Sequence, residues 1–75
     1  MSHEKIARKI IERMREVLVA KKSELVELVK NDINPSDPAR VVDAVTKKLV
    51  ERGLITPVYG FETTFAITRK GMKEF

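Results

Sequence analysis

Lys47-Lys48-Leu49-Val50-Glu51-Arg52-Gly53-Leu54-Ile55 decides how the chain reads. Its first part continues an apolar stripe of helical spacing, Val41, Val42, Val45 and Leu49. Gly53 follows Arg52 where a helix ends in the left-handed conformation that glycine adopts without steric cost. Upstream, Asp37 is placed to cap the helix and Pro38 to be its first residue, where a missing N–H costs nothing. The spacing predicts a helix over about 37–52. Downstream, Leu54-Ile55-Thr56-Pro57-Val58-Tyr59 and Thr64-Phe65-Ala66-Ile67 flank Gly60-Phe61-Glu62-Thr63 and predict a hairpin over about 54–68. Pro57 cannot donate a ladder hydrogen bond, so it belongs on an exposed edge. Thr68 can cap a short last helix over about 69–75, with Met72 and Phe75 available to the core.

The N-terminal half is helical by the same test. Ile6, Ala7, Ile10, Ile11, Met14, Val17 and Leu18 fall on one broad arc at 100° per residue. Arg8, Lys9, Glu12, Arg13, Arg15 and Glu16 fall opposite, which predicts a helix over about 4–19. Val19-Ala20-Lys21-Lys22 is long enough only for a connector or one ladder of strand. Ser23 reads as the N-cap of a second helix over about 23–32, with Glu24 and Glu27 in its first turn and Leu25, Val26, Leu28 and Val29 as its stripe. Asn34-Pro35-Ser36-Asp37-Pro38 then breaks the chain. No internal repeat or low-complexity segment is present.

Composition removes whole classes of function. The chain has 75 residues, 43% hydrophobic and 35% charged, with no Cys. That length holds one domain, residues 1–75, and the missing cysteine excludes disulfides, thiolate metal sites and a Cys nucleophile. The longest apolar run, Val17-Leu18-Val19-Ala20, is far short of a membrane span. Met1-Ser2-His3-Glu4 leads into a charged helix and not a signal-peptide core, so a soluble intracellular, cytoplasmic protein with no membrane partner is expected. The net charge is +4, concentrated in residues 1–22 as Lys5, Arg8, Lys9, Arg13, Arg15, Lys21 and Lys22 against Glu4, Glu12 and Glu16. Density in Lys, Glu and Arg without Gln or Cys is a bias shared with thermophile proteins.

The motifs for catalysis are missing. His3, the only histidine, sits at the start of the chain, so no Ser-His pair can be assembled. There is no nucleophile elbow, phosphate-cradling glycine loop or HExxH. Asp32-x-Asn34-x-Ser36 resembles the start of a calcium loop, but Asp37 stands where that loop needs Gly and Asp43 where it needs a bidentate Glu. The expectation is a protein that is not an enzyme and has no metal, no cofactor and no evident small-molecule ligand.

Helix, short link, helix, turn, helix, hairpin, short helix is an order that resembles the winged helix-turn-helix domains, over essentially the whole chain. Lys47 to Ile55 is similar to the end of their recognition helix entering the first wing strand. Phe65-Ala66-Ile67-Thr68-Arg69-Lys70-Gly71 is similar to their exit from the wing into a final helix. Size, charge bias and lack of cysteine also resemble the small winged-helix regulators of viruses and plasmids of hot-spring archaea such as Sulfolobus. The resemblance implies an α+β, mostly helical fold, with a three-helix core, a β-hairpin wing and a short C-terminal helix. It also implies a transcription regulator that binds double-stranded DNA sequence-specifically, with the helix over 37–52 in the major groove.

On that reading Arg40 suits a guanine edge and Asp43 a cytosine amino group, with Ala39 beside them. Ser36, Thr46, Lys47 and Lys48 suit phosphates. The wing offers Tyr59, Thr63 and Thr64, with Glu62 as a repulsive charge and Phe61 at the tip. Arg69, Lys70, Lys21 and Lys22 could add backbone contacts. The plainer alternative is a solvated helix face closed by Arg40–Asp43 and Lys47–Glu51 pairs. Ile6, Ile10, Ile11 and Met14 are either intramolecular core or the seam of a homodimer that would present two reading helices to a palindrome. A protein-interaction winged helix is the alternative function, and RNA a third ligand that the fold allows.

Overall fold

A computed structural model describes residues 3–33, 37–60 and 62–75. Its elements are α1 (His3–Val17), β1 (Val19–Lys21), α2 (Lys22–Val29) with a 3₁₀ turn at Lys30–Asp32, α3 (Pro38–Glu51), β2 (Ile55–Val58), β3 (Thr64–Ile67) and α4 (Arg69–Lys73). The three strands form one antiparallel sheet in the order β1-β3-β2, so the fold is α+β and mostly helical. No helix among the described residues is long and apolar enough to cross a membrane.

The core closes where the helical stripes meet the inner face of the sheet. Ile6, Ile10, Ile11 and Met14 of α1 are fully buried, together with Leu25, Val29, Val42, Val45, Leu49, Leu54 and Ile55. Each such side chain is worth about 1.5–3 kcal/mol relative to exposure. All four residues considered for a homodimer seam are thus consumed by the intramolecular core, and they have no surface left to give a partner. The arc of α1 is broad because it faces α2, α3 and the sheet at once.

Two boundaries differ from the sequence reading. The first helix stops at Val17, because Leu18 turns the chain with φ +71°. The carbonyl of Leu18 accepts from the Ile67 amide at 2.9 Å, which locks the turn onto β3. Val17 and Leu18 therefore leave the core and are exposed. The second helix starts one residue before Ser23, directly out of the strand. Lys21 is its extended N-cap, and the Lys21 amide donates to the Glu24 carboxylate at 2.9 Å, the reciprocal half of a capping box. Ser23 lies inside the helix because Val19–Lys21 must stay extended to pair with β3 in the register Val19↔Ala66, Ala20↔Phe65, Lys21↔Thr64.

The C-terminal half follows its local signals. The Asp37 carboxylate accepts from the Ala39 amide at 3.0 Å and Pro38 is the first residue of α3. Gly53, with φ +76°, ends that helix in a Schellman arrangement: its amide donates to Val50 and that of Leu54 to Leu49. Pro57 is exposed on β2, an edge strand. The Thr68 hydroxyl accepts from the Gly71 amide at 2.9 Å and itself reaches the carbonyls of Gly53 at 2.7 Å and Leu54 at 2.9 Å. The two quoted stretches, Lys47 to Ile55 and Phe65 to Gly71, are therefore one physical junction. Gly71 makes it possible, since a Cβ there would stand 2.0 Å from the Leu54 carbonyl oxygen. Arg15 of α1 fastens the junction, donating to the carbonyls of Gly71 at 3.0 Å and Glu74 at 3.1 Å.

Candidate nucleic-acid interface

Burial of Val42, Val45 and Leu49 fixes the rotation of α3 and therefore its outward face. Arg40, Asp43, Lys47 and Glu51 are exposed on that side, and Lys48 is exposed on the flank, beside a concavity shared with Ala7 of α1. Among the described residues no carboxylate lies within ion-pair distance of Arg40, Lys47 or Lys48. The Arg40–Asp43 and Lys47–Glu51 pairs of the plainer alternative do not form. Asp43 instead reaches across to Lys22 at the start of α2, 2.8 Å away. The outward face thus carries unneutralised cations, with its central acid partnered from outside the helix.

Thr46 does not join this face. It is 3% exposed, and its hydroxyl donates back to the Val42 carbonyl at 2.7 Å. A threonine within a helix commonly satisfies its hydroxyl this way, and here the hydroxyl expected to suit a phosphate is turned into the helix. Ala39 is half-buried in the first turn, its amide held by Asp37. Ser36 and Phe61 lie outside the described residues.

The hairpin sorts its own residues. Tyr59 is 99% exposed and free to meet a partner. Thr63 is exposed but gives its carbonyl to the Lys22 amide at 2.8 Å. The Thr64 hydroxyl donates to the Glu62 carbonyl at 3.0 Å, so it closes the hairpin in this arrangement. Lys21 lies 3.6 Å from the Glu62 carboxylate and offsets the acid that the sequence reading took as repulsive. Lys21 and Lys22 are therefore committed to acids, whereas Arg69 and Lys70 are exposed cations at the start of α4.

The other charged groups are structural. Asp32 accepts from Lys9 at 2.6 Å, tying the 3₁₀ turn to α1. The lysine hydrogen bond holds the Asp32 carboxyl below its ordinary pKa against the opposing desolvation, with a further pull from the charges of Lys9 and Lys5. Asp32 and Asp43, the two acids that frame the calcium-like stretch, are both partnered by lysines. Two contacts have no local sequence signal. The guanidinium carbons of Arg8 and Arg52 each lie 5.4 Å from the centroid of the Phe75 ring, a cation–π arrangement set by tertiary packing alone.

No family model, curated protein or solved structure matches this chain.

Proposed function

We propose that the chain is a winged helix-turn-helix domain that binds double-stranded DNA sequence-specifically and acts as a transcription regulator. In this reading α3 is the recognition helix, β2 and β3 form the wing, and β1 completes the sheet behind it. One observation carries the proposal: Arg40 and Lys47 on the outward face of α3, and Lys48 on its flank, stand exposed without an acidic partner among the described residues. Cations left unpaired on an exposed helix face are available to phosphates and base edges. Arg40, near the N-terminal end of α3, is where a groove-bound helix reads base edges, and its planar fork matches the O6 and N7 of guanine. Lys47, Lys48, Arg69 and Lys70 would release counterions from phosphates. Lys22 would hold Asp43 in place, leaving an exposed carboxylate oriented for a cytosine amino group.

Selection of bound sequences from a random duplex pool tests this. Enrichment of a defined site, with affinity that falls linearly in log salt, supports it; no enrichment overturns sequence-specific reading. A palindromic site would call for two copies, whose contact must lie outside Ile6, Ile10, Ile11 and Met14. The second reading, a protein-interaction module, rests on the run Val17, Leu18 and Val19, three consecutive exposed apolar residues. It predicts no retention on a DNA column at moderate salt.

A further inference from the structure

The two edges of the sheet are finished differently. On β2, Pro57 has no N–H to offer a further strand. β1 has no such block. Leu18 accepts from the Ile67 amide, the Lys22 amide donates to Thr63, and Ala20 stands opposite Phe65 between them. The main-chain groups of residues 18, 20 and 22 therefore turn toward β3, and those of Val19 and Lys21 toward the free edge. The Lys21 amide is taken by the Glu24 carboxylate, and the Lys21 carbonyl, at the N-cap of α2, accepts the first helical bond. One N–H and one C=O remain on this edge, both of Val19. They lie in the exposed apolar run, where Val17, Leu18 and Val19 are 39%, 53% and 51% exposed. Beside the run, Arg13 of α1 and Glu24 of α2 line a concavity of about 250 Å³ that Val17 also borders. Among the described residues neither Arg13 nor Glu24 has an ion-pair partner.

We propose that the free edge of β1 is the contact between two copies of this chain, paired antiparallel about a two-fold axis at Val19. Self-complementarity selects the occupant. A two-fold at a residue with one free donor and one free acceptor makes two hydrogen bonds, from the Val19 amide to the carbonyl of the partner's Val19 and the reverse. Val19 faces outward from the sheet while Ala20 faces the core, so the two valines stand side by side, a cross-strand apolar pair. Val17 and Leu18 gain cover at the same contact. Charge agrees with this symmetry. Because α1 leads into β1 and α2 leads out of it, antiparallel pairing turns Arg13 of each copy toward the α2 of the other, which carries Glu24. An unrelated strand would meet only the two main-chain groups of Val19, with nothing to match the alternation of base and acid. The contact is small, so a weak dimer is expected, with Kd about 100 µM, and the dilute chain is a monomer. The proposal does not depend on DNA binding and is tested without DNA.

The full chain, labelled with ¹⁵N, is followed by sedimentation equilibrium and by amide spectra from about 5 µM to about 1 mM, a range that brackets the expected Kd. The expected result is a monomer–dimer equilibrium whose concentration-dependent shifts concentrate on the amides of Val17, Leu18, Val19, Lys21 and Glu24. Val19→Lys sets two like charges opposite each other and should weaken the dimer about tenfold or more. Arg13→Glu and Glu24→Arg should each weaken self-association, and an equimolar mixture of the two variants should restore it, since only the mixed pair sets opposite charges together. A chain that stays monomeric throughout the range overturns the proposal and leaves the run to a partner of another kind. A dimer whose shifts lie elsewhere overturns it, as does a mixture that associates no more tightly than either variant alone. The concentration series uses the unmodified chain, so the answer stands even if a variant unfolds.

Discussion

The junction of α3, β2 and α4 and the junction of α1, β1 and α2 each turn the chain through a residue of positive φ, by different means. At the first, each demanding position holds the residue that local chemistry favours. Gly53 takes the positive φ, Thr68 caps α4 and Gly71 admits the Leu54 carbonyl. At the second, Leu18 occupies a left-handed conformation that costs a branched L-residue about 1–2 kcal/mol. Lys21, a poor capping residue, starts α2, and Val17, Leu18 and Val19 are left in solvent. The first junction folds with its local preferences. The second is held by the tertiary bonds Ile67 N–H to Leu18 and Lys22 N–H to Thr63. Local strain at an exposed, apolar turn marks where packing of the sheet outranked the preferences of the residues.

The most damaging change should be Gly71→Ala. Alanine favours a helix by up to about 1 kcal/mol over glycine. Here that gain is small beside the forced separation of Gly71 from the Leu54 carbonyl, 2.0 Å from the added carbon. A loss of about 3 kcal/mol or more is expected in denaturant unfolding. A loss below about 1 kcal/mol would show that the first junction is looser than described.

Arg40→Ala leaves both junctions intact and isolates recognition. It should cost about 1–3 kcal/mol on a selected duplex and much less on a scrambled one, with stability unchanged within about 0.5 kcal/mol. Lys47→Ala should instead weaken both duplexes alike and lower the salt slope by about one unit. Equal losses on both duplexes for Arg40→Ala would remove its base-reading role. DNA binding itself would survive that result.

Thr68→Ala removes the cap of α4 and the hydroxyl that bridges to Gly53 and Leu54. About 1–2 kcal/mol of stability should go with it, measured by thermal unfolding. Loss at the lower limit of detection would mean that the Thr68 amide, bonded to Leu54 at 3.1 Å, suffices to hold the junction.

At the second junction the sign reverses. Leu18→Asn places a residue tolerant of positive φ at an exposed site, and should raise stability by about 0.5 kcal/mol. A loss of stability would show that the Leu18 side chain packs usefully despite being 53% exposed.

The smallest effect concerns the Lys9–Asp32 pair. Because Asp32 has a lowered folded-state pKa, its contribution is present above the ordinary value of 3.8 and fades as pH falls through the lower folded value. Lys9→Met should flatten the acid limb of the stability curve in that window and leave neutral-pH stability nearly unchanged, because the pair is partly exposed.

The helices, the hairpin, their order and the cap at Asp37 were legible because each has a short-range cause: periodic burial, a carboxylate beside free amides, a glycine where φ is positive. The exposed cations of α3 were legible for the same reason, since the apolar stripe determines which residues face away. The burial of Thr46 was not legible because hydroxyl back-bonding depends on the depth of burial, and helical spacing put it only on the flank. The Ser23 cap was misread because the pairing of β1 with β3 delays nothing in the sequence pattern yet holds Lys21 extended.

Sequence alone determined the α+β content, the outward charged face of α3 and the absence of cysteine chemistry, all properties of local spacing and residue type. Tertiary structure decided that Asp43 pairs with Lys22, that Arg8 and Arg52 share the Phe75 ring, and that the arc of α1 is spent inside the molecule. Each of these joins side chains far apart along the chain. Their distance in space depends on how several elements pack together, and no periodicity within one element encodes it.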